Sequence, residues 1–254
     1  MKKLGLGILI AVTVLAVSGV AAASMIIPAN DNAKENAKAP EKSPVITETP
    51  TGEWDLERVD FIHYAKPSNS GATKTETCYK LLGVKWSTLP VNYVINPTNP
   101  QGLSPEFVTG AIFTSAETWD NATSKGLFND LYVVDSSAQY GVQNFKNAID
   151  FNDYPDSNVI AVTSIWYTRV GKQIVEFDIR FNTDFIWGDA TTSSGVMDLQ
   201  NIATHELGHA VGLADIYSTT CSAVTMYGYS SNGDVEKRTL EQPDKVGLQK
   251  IYGL

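Results

Sequence analysis

Two histidines four residues apart flank a glutamate in the run His205-Glu206-Leu207-Gly208-His209-Ala210-Val211-Gly212-Leu213-Ala214-Asp215. On a helix, residues i and i+4 share a face, so both imidazoles can close on one metal ion. Glu206 is then placed to reach a metal-bound water without being a ligand itself. Gly212 lets the chain leave the helix sharply, because glycine tolerates positive φ. The returning chain brings Asp215 up as a third ligand. Two His and one Asp with a position left open is the plan of a catalytic zinc site, whereas structural sites are closed by four protein ligands. Zinc lowers the pKa of a bound water to about 7 and polarises a carbonyl. Glu206 would take a proton from that water as it attacks a peptide carbonyl, and deliver it to the leaving amine. The competing readings are a solvated surface helix for the two histidines and a turn cap for Asp215. Without Asp215 the site would need another ligand, and of the chain's three histidines only His63 remains. His63 itself reads as a surface or partly packed residue near the start of the domain, with a substitute ligand as its functional reading.

A helix must carry this run, and Asp198 is a fitting cap for one that extends to Val211. A second helix starts at Ser104-Pro105, a capping serine followed by proline at the first helical position. Its Val108, Ala111, Ile112, Ser115 and Trp119 fall on one face, and it should run to about Asn121. Val91 to Ile95 alternates as a strand and ends at Asn96-Pro97, and Leu131 to Val134 is a short strand. Ile160 to Tyr167 and Ile174 to Phe181 are β-rich runs joined by Arg169-Val170-Gly171-Lys172, a hairpin. Val246 to Tyr252 closes the chain as a short helix. Helices and strands mix without strict alternation. The expected fold is therefore α+β: a twisted mixed sheet, mostly parallel with one antiparallel edge strand, packed by the site helix and a C-terminal helix.

The chain has 254 residues, 43% apolar and 19% charged, with a net charge of −9. That composition supports a packed core and excludes both a fully disordered chain and a multi-pass membrane protein. No basic face is visible, so no nucleic-acid partner is expected. Two cysteines exclude a disulfide-dense scaffold and any Cys₄ zinc site. Met1-Lys2-Lys3, an apolar run from Leu4 to Val20 and Ala21-Ala22-Ala23-Ser24 describe an export signal over residues 1–23. An uncleaved N-terminal anchor is the alternative, since Leu4 to Ile27 carries no charge and could span a bilayer. Either reading puts the rest of the chain outside the cytoplasm: secreted, or tethered to the outer face of the membrane. Residues 24–51 have too few large apolar side chains to offset the entropy of ordering, and read as a disordered tether or a short pro-segment. The expected catalytic domain is 52–254. In an exported chain, Cys78 and Cys221 are expected to pair, two buried thiols being the alternative.

The metal-binding run resembles that of the metzincin metallopeptidases, whose extended motif is usually completed by a third His. Asp215 in that place resembles the snapalysin-like branch and some matrixin-like prokaryotic proteins. The remainder is most similar to matrixins. Thr225-Met226-Tyr227 resembles the Met-turn, in which a methionine lies beneath the metal histidines. Leu240, Asp244, Gly247, Leu248 and Ile251-Tyr252-Gly253 resemble the matrixin C-terminal helix, and Leu199 to Thr204 the run before the motif. Trp86, Val91 to Ile95 and the helix carrying Trp119 resemble the matrixin start. The likeness spans about Lys85 to Leu254. It implies a zincin-type catalytic domain and a secreted zinc endopeptidase, expected to be a monomer acting on protein or peptide substrates. It also implies a cleft-edge strand, here Ile160 to Ile165 with Ala161, Val162 and Thr163, that pairs with an extended peptide. A pocket would be lined by the segment after Met226, near Tyr227 and Tyr229. Met226 could instead be an ordinary core methionine, and Tyr229 reads better as a packed aromatic. Gly228 occupies the place where some metzincins carry a metal-reaching Tyr, so that role is not transferred. Too few histidines remain for a second, structural zinc, so one zinc is expected. Calcium is possible, with Asp178, Asp184 and Asp189 as candidate ligands or as solvated loop acids. No motif before Cys78 resembles the matrixin cysteine plug. The alternative functions are a non-catalytic secreted peptide-binding module on the same fold and a zinc enzyme acting on another carbonyl.

Overall fold

A computed structural model describes residues 45–48, 55–66 and 77–254, the first of these stretches as backbone only. The export signal, and the tether apart from 45–48, lie outside the described residues. The elements are β1 (Val45–Glu48), β2 (Leu56–Ala65), β3 (Lys85–Trp86), β4 (Val94–Ile95), α1 (Pro105–Asp120), β5 (Val133–Val134), β6 (Ala148–Asn152), β7 (Val159–Thr168), β8 (Gln173–Asn182), β9 (Trp187–Gly188), β10 (Met197–Asp198), α2 (Leu199–Ala210), β11 (Tyr229–Ser230) and α3 (Gln242–Tyr252). No helix among the described residues is long and apolar enough to cross a membrane.

The helices start where their capping residues direct. Ser104 Oγ accepts from Phe107 N at 3.2 Å, and Val108, Ile112, Ser115, Ala116 and Trp119 are the buried face of α1. Asp198 Oδ1 accepts from Asn201 N at 2.8 Å to begin α2, which is buried on nearly every side. α3 starts at Gln242, four residues before the expected Val246, because Pro243 and the Asp244 carboxylate shape an earlier first turn: Asp244 Oδ2 accepts from Glu241 N at 3.0 Å. Trp119 ties α1 to α2 by donating Nε1–H to Thr204 O at 2.7 Å, and Trp86 does the same from the other side, to Ala210 O at 2.8 Å.

The main sheet runs β1-β2-β7-β8-β6-β4-β5, with β11 beside β2 and β3 beside β8. β4–β5, β4–β6, β6–β8, β3–β8 and β11–β2 are parallel, while β1–β2, β2–β7 and β7–β8 are antiparallel. With three α-helices among the described residues, this is the mixed, mostly parallel α+β architecture expected from the sequence. The anticipated hairpin is β7–β8, and its turn uses positive φ at Gly171 and Lys172. β2 has no counterpart among the strands expected from the sequence. It lies antiparallel along β7 from Leu56↔Thr168 to Tyr64↔Val159, and its end runs parallel to β11 at Tyr64↔Tyr229 and Ala65↔Ser230. β7, expected from the sequence to be a cleft-edge strand, is instead paired on both sides, with β2 and with β8.

Candidate functional site

α2 delivers His205 and His209 to one face, and Gly212 turns the chain so that Asp215 returns to them. Gly212 has φ +97°, and a Cβ there would meet Val84 O at 2.6 Å, so no other residue makes this exit freely. His205 Nε2 and His209 Nε2 lie 3.2 Å apart, and Asp215 Oδ1 lies 3.2 Å and 3.4 Å from them. The tautomers are set by the other ring nitrogens. His205 Nδ1 faces Thr225 O at 2.8 Å and His209 Nδ1 faces Leu213 O at 2.9 Å. A carbonyl only accepts, so each Nδ1 carries a proton, and in the neutral ring each Nε2 presents a lone pair. Asp215 Oδ1 is a buried oxygen with no hydrogen-bond donor in bonding geometry, facing both Nε2 atoms. Two imidazole nitrogens and a carboxylate oxygen that converge in this way fit a small divalent cation, and this donor set fits zinc.

Glu206 stands beside this cluster, fully buried, and burial pushes its carboxyl up to about 7. Oε2 accepts from Thr163 Oγ1 at 2.5 Å, and Oε1 lies 3.1 Å from His63 Nδ1. The other His63 nitrogen, Nε2, faces Lys237 Nζ at 3.2 Å and Ser230 Oγ at 3.1 Å. An ammonium only donates, so Nε2 accepts and Nδ1 donates to Glu206. Burial, then the neighbouring His205, hold the His63 imidazole well below its ordinary value, consistent with the neutral ring. Lys237 also donates to the backbone carbonyls of Tyr227 and Tyr229, and burial pushes its ammonium down to about 7. The His63 ring lies 4.0 Å from that of His205, and two residues earlier on β2 the Phe61 ring stacks on His209 at 4.1 Å.

The support beneath the histidines is equally specific. Met226 is buried under α2, and a Cβ on Gly208 would run into its Sδ and approach Trp119 Cζ2 to 2.6 Å. Asp244 of α3 accepts from Thr225 N at 2.9 Å and Met226 N at 3.2 Å, fixing the turn that carries the methionine. Tyr217 donates its hydroxyl to Asp215 Oδ2 at 3.1 Å, and Gly228 leaves room for the Tyr217 ring.

The fold brings His205, Glu206, His209, Asp215 and Met226 close together. Ala161, Val162 and Thr163 lie on β7 opposite His63, Ile62 and Phe61, and Tyr227 and Tyr229 pack ring to ring at 5.7 Å. Cys78 and Cys221 form a disulfide with Cα atoms 5.4 Å apart. The expectation for His63 is corrected: it is not a surface residue but the fully buried neighbour of Glu206. The calcium candidates do not gather. Asp178 is buried and accepts from Gly141 N and Ala148 N, while Asp189 pairs with Arg238, and with Asp184 they form no metal-holding group among the described residues. Lys237, Ser230 and Tyr217 carried no functional signature in the sequence, and His63 was read there only as a substitute ligand. One signal was present: Val59, Phe61 and His63 alternate with Arg58, Asp60 and Ile62, the mark of a half-buried strand.

The matrixin family model matches residues 85–253. Matrix metalloproteinase-25 of Mus musculus is 26% identical over 192 residues, 72% of this chain and 29% of that protein. Matrix metalloproteinase-16 of Homo sapiens is 27% identical over 182 residues, 69% of this chain and 28% of that protein. Matrilysin of Homo sapiens is 42% identical over 76 residues, 30% of this chain and 27% of that protein. The chain spans less than a third of the length of these relatives.

Proposed function

The chain belongs to the matrixin family, and on that premise we propose that it is an exported zinc-dependent endopeptidase. The observation that carries this reading is the buried, converging cluster of His205 Nε2, His209 Nε2 and Asp215 Oδ1 with the Glu206 carboxylate beside it. His205, His209 and Asp215 would hold one zinc, which when bound supplies Lewis acidity toward a peptide carbonyl. Glu206 is the general base. Its raised carboxyl takes a proton from the attacking water at Oε1 and returns it to the leaving amine. Thr163 orients that carboxylate through Oε2. A purely peptide-binding module would have no use for Glu206.

The test is turnover of a denatured protein by the zinc-loaded chain, by Glu206→Ala and by a chelated sample. Cleavage by the zinc-loaded chain, lost in both others while Glu206→Ala retains one zinc, is the expected result. Retained cleavage in Glu206→Ala would remove Glu206 from the base role.

A further inference from the structure

The C-terminal end of α1 is charged against its own helix. Glu117 and Asp120 share one face of its last turn, where the helix dipole is negative, and no basic residue stands in that turn. The loop that follows brings back a third acid, Asp130, so that one oxygen from each carboxylate lies within 4.8 Å of the others. Among the described residues none of the three pairs with a lysine or arginine. The loop is fastened in this arrangement. Asp120 Oδ1 accepts from Leu127 N at 2.8 Å and from Phe128 N at 3.2 Å, and Asn129 N donates to Val91 O at 2.9 Å. Asp130 is exposed and the other two acids are half-buried, so the cluster opens to solvent on one side. The inner side holds Tyr93, which is 1% exposed. Its ring packs against those of Phe128 and Tyr132, each with centroids 6.0 Å away, and its hydroxyl is sealed from solvent without a hydrogen-bond partner. Burial, then Tyr132 and the charges of Glu117, Asp120 and Asp130, hold the proton on that hydroxyl. A buried hydroxyl left in this state carries its full desolvation cost.

We infer that Glu117, Asp120 and Asp130 form a calcium site, with the Tyr93 hydroxyl as the inner partner of the ion or of a water it carries. The site shares no residue with the cluster of His205, His209 and Asp215, and it does not depend on the chain being a peptidase. Donors that are all oxygen and mostly carboxylate select a hard cation. Oxygens on opposite sides of a calcium, each about 2.4 Å from it, stand about 4.8 Å apart, so these three can share one ion. Magnesium demands a near-ideal octahedron at shorter distances, which a helix turn and an exposed loop acid are poorly suited to hold. The ion offsets three like charges and the negative end of the helix dipole together. It also clamps the far end of the loop to α1. Trp119, between Glu117 and Asp120, donates to Thr204 O, so the clamp bears on the helix that carries His205 and His209.

The experiment uses the purified chain carrying Glu206→Gln, so that it cannot cleave itself. It is stripped of metal on a chelating resin and reloaded with one zinc. Calcium chloride is titrated in by calorimetry, in parallel with the same background carrying Asp130→Asn, Glu117→Gln or Tyr93→Phe. Calcium affinity follows the number of charged ligands, so it should fall at least about tenfold in Asp130→Asn and in Glu117→Gln, and about threefold in Tyr93→Phe. Calcium at about a hundred times its Kd should raise Tm by roughly 5–10 °C in the parent, and Asp130→Asn at that same concentration should gain less than half as much. If Glu117→Gln does not fold, Asp130→Asn decides, since that side chain is exposed. Absence of calcium binding up to about 10 mM, beyond the weakest sites of this kind, overturns the proposal. So does calcium binding that Asp130→Asn and Glu117→Gln leave unchanged, which would put the ion elsewhere. Unchanged affinity in Tyr93→Phe strikes the hydroxyl from the site, and magnesium binding as tightly as calcium overturns the choice of ion.

Discussion

Asp215 has its second oxygen held by the Tyr217 hydroxyl at 3.1 Å, and this leaves Oδ1 aimed at the two imidazoles. A ligand held in this way should bind metal better than one free to rotate. Tyr217→Phe removes only that hydroxyl and should lower zinc affinity roughly tenfold, while Asp215→Ala, which removes the ligand, should lower it further. Competition against a chromophoric chelator measures both, and equal affinities for Asp215→Ala and the unaltered chain would take Asp215 out of the ligand set. At this scale the sequence was legible wherever spacing alone fixes geometry. His205 and His209 share a helix face whatever surrounds them, and Gly212 must turn. It was opaque where a role depends on burial by distant chain. Lys237 reads as one more soluble cation in Glu236-Lys237-Arg238, and only the fold shuts its ammonium in with the Tyr227 and Tyr229 carbonyls.

Between elements, buried acids of β8 and β6 fasten the loop that precedes β6. Glu176 accepts from Asn144 N and Phe145 N, Asp178 from Gly141 N and Ala148 N, and Asp150 from Tyr140 N and Arg180. Together they pin the loop between β5 and β6 onto the outer face of the sheet. Asp178→Asn keeps one acceptor and turns the other against an amide N–H, which should cost about 1–3 kcal/mol of stability. The same residue gives stability a pH slope. Burial lifts its carboxyl from 3.8 to about 8, against the lowering by the two amides. The folded chain therefore holds this proton through a window in which the unfolded chain has released it, and stability falls as pH rises from about 4 to about 8. Urea unfolding should show the midpoint dropping between pH 5 and pH 8, with a shallower drop in Asp178→Asn; equal slopes would assign the pH dependence to other groups. The sequence predicted α1, α2 and the β7–β8 hairpin because caps and period carry them. It did not predict the partnership of β2, because strand pairing across about a hundred residues leaves no local trace beyond alternation.

Across the whole molecule, the segment that carries β2 and the body that carries the metal cluster meet again at one covalent point. Cys78 comes after β2 in the chain and is bonded to Cys221, 143 residues later, on the 3₁₀ turn Thr219–Cys221 that stands between Asp215 and Met226. Leu82 N donates to Gly212 O and Ala214 N to Lys80 O, so the chain just after Cys78 also runs against the exit of α2. The bridge thus sets a boundary: the chain beyond Cys78 is bound to the site wall, while β2, among the described residues, is held by strand pairing and by its side-chain contacts. A loop of this length gives a chain-entropy stabilisation of about 4–5 kcal/mol before strain. At the usual conversion for a domain of this size, a loss of about 3 kcal/mol lowers Tm by roughly 6–12 °C. Cys78→Ser with Cys221→Ser should show that drop by calorimetry. It should also leave the affinity for zinc within about twofold, because none of the three converging ligand atoms belongs to the bridge. A double variant that melts with the unaltered chain would mean that the backbone contacts of residues 80–82 already fix the wall. A variant that keeps its fold but loses zinc would mean that the bridge, and not Tyr217 and Gly212, sets the place of Asp215.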